Sequence, residues 1–146
     1  MPRWVGIDVG EKRIGVAVSD PDGWLATARE VIEISTAGEA LPRVLEACRA
    51  VGATGIVVGL PLNMDGSRGE AARKAETFAR ELRAATGLPV HLWDERLTTR
   101  SAHGAMLEAG LRGERRRGRV DMVAAQMMLQ SFLDAGGAAG RLSGQE

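Results

Sequence analysis

Cysteine is nearly absent from the 146 residues: Cys48 stands alone. A single cysteine excludes an internal disulfide and a zinc finger. Its helical apolar spacing reads as a small core residue. Aromatic residues are scarce too, with three Trp, two Phe and no Tyr. That leaves no stacking platform for single-stranded nucleic acid. Trp4, Trp24 and Trp93 fall in strand-like segments and read as core. Lysine is confined to Lys12 and Lys74; every other basic residue is Arg. No apolar run approaches the ~18 residues of a membrane span. Nor does "MPRWVGID" have the layout of a signal peptide, so the expected location is the cytoplasm, with no membrane partner. Net charge is zero, which gives no overall electrostatic case for nucleic acid.

What is present suits one folded domain. Hydrophobic residues make up 45% of the chain, enough for a core at this length. The expected domain covers 1–134, and the small, polar tail 135–146 is expected to be frayed and flexible. Charge is unevenly spread: Arg96 to Arg119 contains seven Arg against Glu108 and Glu114.

The hydrophobic period changes along the chain. Residues 3–9 and 13–19 run apolar around Gly10, Glu11 and Lys12, a hairpin signal. Residues 24–34 supply a third strand after the turn "PDG". Thr36 and Glu39 then have capping-box spacing. Leu41, Val44, Leu45, Cys48 and Val51 follow at helical intervals and stop at Gly52. "GIVVG" at 55–59 is a short apolar strand of the kind buried on both faces. Ser67 and Glu70 form a second capping-box pair, leading a helix that ends at Gly87 and Pro89. "VHLW" at 90–93 is another buried strand. Thr98 or Thr99 can cap a helix to about Ala109. The Gly- and Arg-rich stretch 110–119 reads as an exposed loop, and a last helix is expected over about 120–134. This order predicts an α/β domain: an antiparallel meander, then parallel crossovers, with helices on both sheet faces.

Three carboxylates sit awkwardly in that pattern. Asp8 lies in an apolar strand between Ile7 and Val9, where a charge is costly unless paired or bound to metal. Glu95 follows a buried strand, and pairing with Arg96 or Arg100 is the structural explanation. Asp121 opens the expected last helix, where the helix dipole alone favours an acid. If the three meet, their repulsion raises their pKa values, and a divalent cation reverses the penalty. Oxygen-only ligands select Mg²⁺ or Mn²⁺ over zinc. Two such ions, roughly 3.5–4 Å apart, clamp the attacking and leaving oxygens of a phosphodiester displacement. Gly6 and Gly10 would then let a bulky substrate come close to Asp8. Spacing alone does not establish that the three acids meet.

Four segments, "VGIDVGEKRIGVAVSD", "VVGLPLNMDGS", "LPVHLWDERLTT" and "VDMVAAQMMLQSFLD", together resemble the YqgF (RuvX) family. The resemblance runs from residue 4 to residue 134 in the family's order and spacing. It implies an RNase H-like fold, with a five-stranded mixed sheet flanked by helices. It puts the family's acidic triad on Asp8, Glu95 and Asp121, as metal ligands and catalytic residues. It sets the first strand beside the strand at 55–59, with the last helix end-on to both. It implies a nuclease that matures the 5′ end of precursor 16S ribosomal RNA, or one that resolves Holliday junctions. The partners would be structured RNA or branched DNA, and ribosomal precursor particles, with the protein a monomer or homodimer. One departure is Met122, where the family often has Lys after the third acid.

Several residues are candidates for contacting substrate. Lys12 and Arg13 could hold a phosphate near the metals, or be exposed hairpin charges. Asn63, with Asp65, lies in a loop leaving a parallel strand, where α/β sites gather; an Asx turn is the structural explanation. Arg96 could pair with an acid or with substrate. Thr98 suits a helix cap as well as a site. Arg115, Arg116 and Arg117 suit phosphate contacts that position without reading sequence, or a solvated loop. His91 and His103 do not make a ligand pair and read as structural. A non-catalytic nucleic-acid-binding module is the alternative from another class, although clustered acids serve a binder poorly. "GIDVG" also resembles the phosphate loop of actin-like and sugar-kinase ATPases, which need two such domains where this chain has room for one.

Overall fold

The computed structural model describes residues 3–97 and 113–136, with the backbone alone for 37 and 113–121. A hairpin comes first, β1 (Trp4–Val9) and β2 (Arg13–Ser19), followed by β3 (Ala26–Glu33). Next come α1 (Ala40–Val51), β4 (Gly55–Leu60), α2 (Glu70–Thr86) and β5 (Val90–Asp94). The last described helix is α3 (Gly113–Asp134). The five strands form one sheet of order β3-β2-β1-β4-β5. β1 pairs antiparallel with β2 and parallel with β4, and β4 pairs parallel with β5. The sheet is therefore mixed, as the change of period predicted.

Strand alternation divides the side chains between two cores. Val5, Ile7, Ile14, Val16, Ile56, Val58 and Val90 point to one face and pack with Val44, Cys48, Phe78 and Leu82 of α1 and α2. Each fully buried aliphatic side chain of this kind contributes about 1.5–3 kcal/mol. Trp4, Ala17, Ala26, Val57 and Trp93 point to the other face and pack with Ala125, Met128, Leu129 and Phe132 of α3. Both helices of the first face end on left-handed glycines, Gly52 at φ 67° and Gly87 at φ 70°, a conformation that favours glycine. Cys48 is buried, and burial pushes its thiol up to about 11.

Some local expectations are corrected. β3 starts at Ala26, and Trp24 and Leu25 are exposed at 77% and 60% rather than core. Asp20 holds them outside the strand, since its carboxylate accepts the N–H groups of Trp24 and Leu25 at 2.8 and 3.0 Å. Only half of the first capping box forms: Glu39 accepts from the Ser35 and Thr36 backbone. The second does not form, because Ser67 bonds to Asp65 and Asn63, and Gly69 leads α2 without a side-chain cap. α3 begins at Gly113, so residues 115–117 have helical backbone instead of forming a loop. It lies across the β1 face instead of end-on, with Gly6 against Leu129. The predicted helix from Thr98 or Thr99, His103 and the tail from 137 lie outside the described residues.

Candidate metal centre

Asp8 comes near the end of the central strand, on the α3 face. Its cross-strand neighbour on β2 is Gly15. On β4, Ile7 pairs with Val58, which brings Gly59 level with Asp8. Gly59 in turn pairs with Trp93 of β5. Asp8 is thus flanked by glycine on both adjoining strands, and the space above it is open to other side chains.

Glu95 enters that space. It begins a 3-10 turn, Glu95–Leu97, directly after β5. Its side chain lies over Gly59, where a Cβ would overlap Glu95 Oε2. The Glu95 carboxyl, as the protonated partner, donates a hydrogen bond to Asp8. Its pKa is pushed up to about 8, first by burial, then by the charge of Asp8 and the bond to it, and last by Asp94. Two acids far apart in sequence share one site, at the end of the sheet where parallel strands deliver their C-termini.

α3 runs opposite to β1. Trp4 meets Phe132 at 4.9 Å between ring centroids, and a Cβ on Gly6 would lie 2.9 Å from Leu129 Cβ and 3.4 Å from the Ala125 carbonyl. One step up β1 from Gly6 is Asp8, and one turn back along α3 from Ala125 is Asp121. The backbone therefore carries Asp121 toward the Asp8 end of the sheet. Because α3 starts at Gly113, Asp121 is about two turns inside it. The helix dipole, which acts within the first turn, does not account for an acid there.

The glycines beside Asp8 have reasons other than substrate approach. Gly6 admits α3. Gly10 closes the hairpin: its N–H donates to the Arg13 carbonyl at 2.9 Å, and a Cβ would meet that oxygen at 2.7 Å.

The remaining candidates separate into two groups. Lys12 is exposed and Arg13 half-buried at the hairpin tip beside the β1 end. Neither side chain makes an ion pair among the described residues. The other group is bound within the protein. Asn63 donates from Nδ2 to Ser67 Oγ at 2.9 Å, and Asp65 accepts from Ser67 N–H and Oγ–H at 2.9 and 2.6 Å, an Asx turn. Arg96 donates to Asp94 from Nη2 at 2.8 Å and Nε at 3.1 Å, and from Nη1 to the Met64 carbonyl at 3.3 Å. Its partner is an acid, though a different one from Glu95. Thr98 lies outside the described residues, as do the side chains of Arg115, Arg116, Arg117 and Asp121. His91 is buried between Trp4 and Phe132, with ring centroids 5.4 and 5.6 Å away.

Two residues of the site were missed in the sequence, Gly59 and Asp94. The signal for Gly59 was available: a glycine inside an apolar strand marks a close approach. Asp94 gave none, being one acid among many, two residues from an Arg.

A mixed five-stranded sheet with helices on both faces, and acids at the ends of its first and last strands, defines an RNase H-like fold of the resolvase type. The chain belongs to the RuvX family, described as Holliday junction resolvase, which matches residues 2–135. A relative from Pelotomaculum thermopropionicum is 48% identical over 143 residues, covering 97% of this chain and 93% of its own. Another from Moorella thermoacetica is 48% identical over 132 residues, covering 90% and 94%. Both are named as proposed pre-16S rRNA nucleases. Among solved structures, RuvC of Thermus thermophilus in complex with a Holliday junction substrate superposes with a TM-score of 0.62 at 16% identity, covering 93% of this chain and 97% of that one. That likeness concerns the fold. No helix among the described residues is long and apolar enough to cross a membrane.

Proposed function

We propose that the chain is a divalent-metal-dependent nuclease that hydrolyses phosphodiester bonds in structured RNA and matures the 5′ end of precursor 16S ribosomal RNA. The names of its relatives support the substrate. The observation that carries the chemistry is the Asp8–Glu95 carboxyl pair, buried enough to hold a shared proton. Among the described residues every influence on Glu95 pushes its pKa up, burial first and then neighbouring carboxylates, an environment that a cation would relieve. An oxygen-only pair of this kind fits Mg²⁺ or Mn²⁺. Such ions, two in this reading, would supply Lewis acidity to the attacking water and the departing oxygen.

The chain's own part is positional. Asp8 holds its carboxylate from the central strand of the sheet, paired on both sides. Glu95 reaches it from β5, and with its carboxyl deprotonated would hold the ion together with Asp8. Asp121 completes the acidic set from α3. Lys12 and Arg13, at the same end of the sheet, would meet substrate phosphates in this reading, and Arg115, Arg116 and Arg117 remain candidates for further phosphate contacts. Ribosomal precursor particles are the partner this reading implies, with the cytoplasm as the location.

The family description favours a second reading, cleavage of four-way DNA junctions. Both are tested by gel cleavage with wild type and Asp8→Asn, on a precursor ribosomal RNA fragment and a four-way DNA junction, with Mg²⁺, Mn²⁺ or chelator. Metal-dependent cuts in RNA that disappear in the variant are expected. Cuts confined to the junction would select the second reading. Equal cleavage by Asp8→Asn would sink both, and RNA binding without any cuts would leave a binding module.

A further inference from the structure

β1 and β5 are not neighbours. β4 runs between them, which separates their backbones by about 10 Å at ordinary strand spacing. A glutamate leaving the end of β5 must therefore cross β4 to touch Asp8, and it must cross on the α3 face. The β4 residues on that face are Gly55, covered by the Trp4 ring, Val57, packed in the core with Leu129 and Phe132, and Gly59. Only Gly59 lies level with Asp8. A Cβ there would overlap Glu95 Oε2 and come within 3.2 and 3.3 Å of Glu95 Cδ and Cγ. The carboxyl head of Glu95 thus lies over the bare backbone of residue 59.

We propose that Gly59 is a positioning residue of the carboxylate centre: its missing side chain is the passage through which Glu95 reaches Asp8. The role is steric and does not involve unusual backbone torsions, since Gly59 is not among the positive-φ glycines. An alanine at 59 suits an extended strand. The atoms it displaces belong to the far end of a flexible side chain, so the fold accommodates the change while Glu95 turns away. Gly6 differs, because the atoms facing it are a Cβ and a carbonyl of α3.

The inference rests on the reading of Asp8 and Glu95 as metal ligands, and its test separates the two. Gly59→Ala, Glu95→Ala and the double variant would be compared with wild type by calorimetric Mn²⁺ binding, RNA cleavage, thermal unfolding and a metal-free crystal structure. Gly59→Ala is expected to weaken Mn²⁺ binding and cleavage by about 10–100-fold, the range for removing a support of a metal ligand. Its unfolding midpoint should match or exceed that of wild type, and its metal-free structure should show Glu95 moved off β4. In the Glu95→Ala background the same substitution should change nothing further. Wild-type Mn²⁺ affinity in Gly59→Ala, an unmoved Glu95, or an equal loss in the Glu95→Ala background would each overturn the steric role. If wild type itself bound no Mn²⁺, the metal reading would fall, and the position of Glu95 in the crystal would still decide for or against the passage.

Discussion

Arg96 grips Asp94 with two nitrogens, Nη2 at 2.8 Å and Nε at 3.1 Å, one residue away from the Glu95 that reaches Asp8. The same guanidinium donates to the Met64 carbonyl, which ties the loop after β4 to the end of β5. The pair holds the Asp94 carboxyl below the usual range, chiefly through the Arg96 side-chain bond. Asp94 still adds to the upward push on the Glu95 carboxyl.

Arg96→Ala should therefore act on the site more than on the fold. An exposed ion pair contributes little to stability, so the thermal midpoint should change only slightly. Cleavage and Mn²⁺ affinity should fall by about tenfold, as for other supports of a metal ligand. Arg96→Lys should not restore them, because an ammonium lacks the planar fork that spans both oxygens. Paired unfolding and cleavage assays would check this, and full rescue by Lys would refute it.

Without metal, stability should fall as pH rises from about 4.5 toward 8. The Glu95 pKa is raised from 4.5 to about 8 in the folded protein. Below 4.5 both folded and unfolded chains hold the proton, and this group does not penalise folding. Between the two values only the folded chain holds it, so the slope is negative and at most about 1.4 kcal/mol per pH unit. Saturating Mn²⁺ should abolish the slope, and binding at pH 7 should release close to one proton. Urea unfolding across pH, with calorimetry in buffers of different ionisation enthalpy, would measure both. A metal-free protein whose stability rises over this window would contradict the assignment.

Gly6 and Gly59 should respond to alanine in opposite ways. At Gly6 the new Cβ meets Leu129 Cβ at 2.9 Å, which only a shift of α3 relieves. Overpacking of this kind costs about 1–3 kcal/mol, so Gly6→Ala should lower the urea midpoint while Gly59→Ala does not. Equal stability of the two variants would show that α3 yields more easily than its packing indicates.

Much of the architecture was legible because hydrophobic period reports burial directly. "GIVVG" reads as a strand covered on both faces and is one; the stripe through Val44 and Cys48 reads as a helix that stops at Gly52 and does. The start of α3 escaped because its first turns are Gly and Arg, without an apolar stripe. Trp24 was misplaced because composition cannot show that the Asp20 carboxylate gathers the following turn. At the site, Asp8 stood out because a charge inside an apolar strand needs a reason. Its meeting with Glu95 depends on strand order, and so does the passage over Gly59. Neither relationship is a property of local sequence. Arg96 likewise offered two acidic neighbours, and only the folded geometry selects Asp94 over Glu95.

Among the described residues the strand that delivers Glu95 is the outermost on its side, with β4 as its one strand partner and the Arg83 guanidinium on its Val90 carbonyl. Edge strands open at lower free energy than central ones. Detachment of the five residues of β5 at this margin would separate the two carboxyls and draw Val90 and Trp93 out of the two cores. The centre therefore comes apart no later than that margin does. During synthesis the order is the same: Asp8 emerges early, and the pair exists only after β5 has docked, so a half-made chain carries no assembled carboxylate pair.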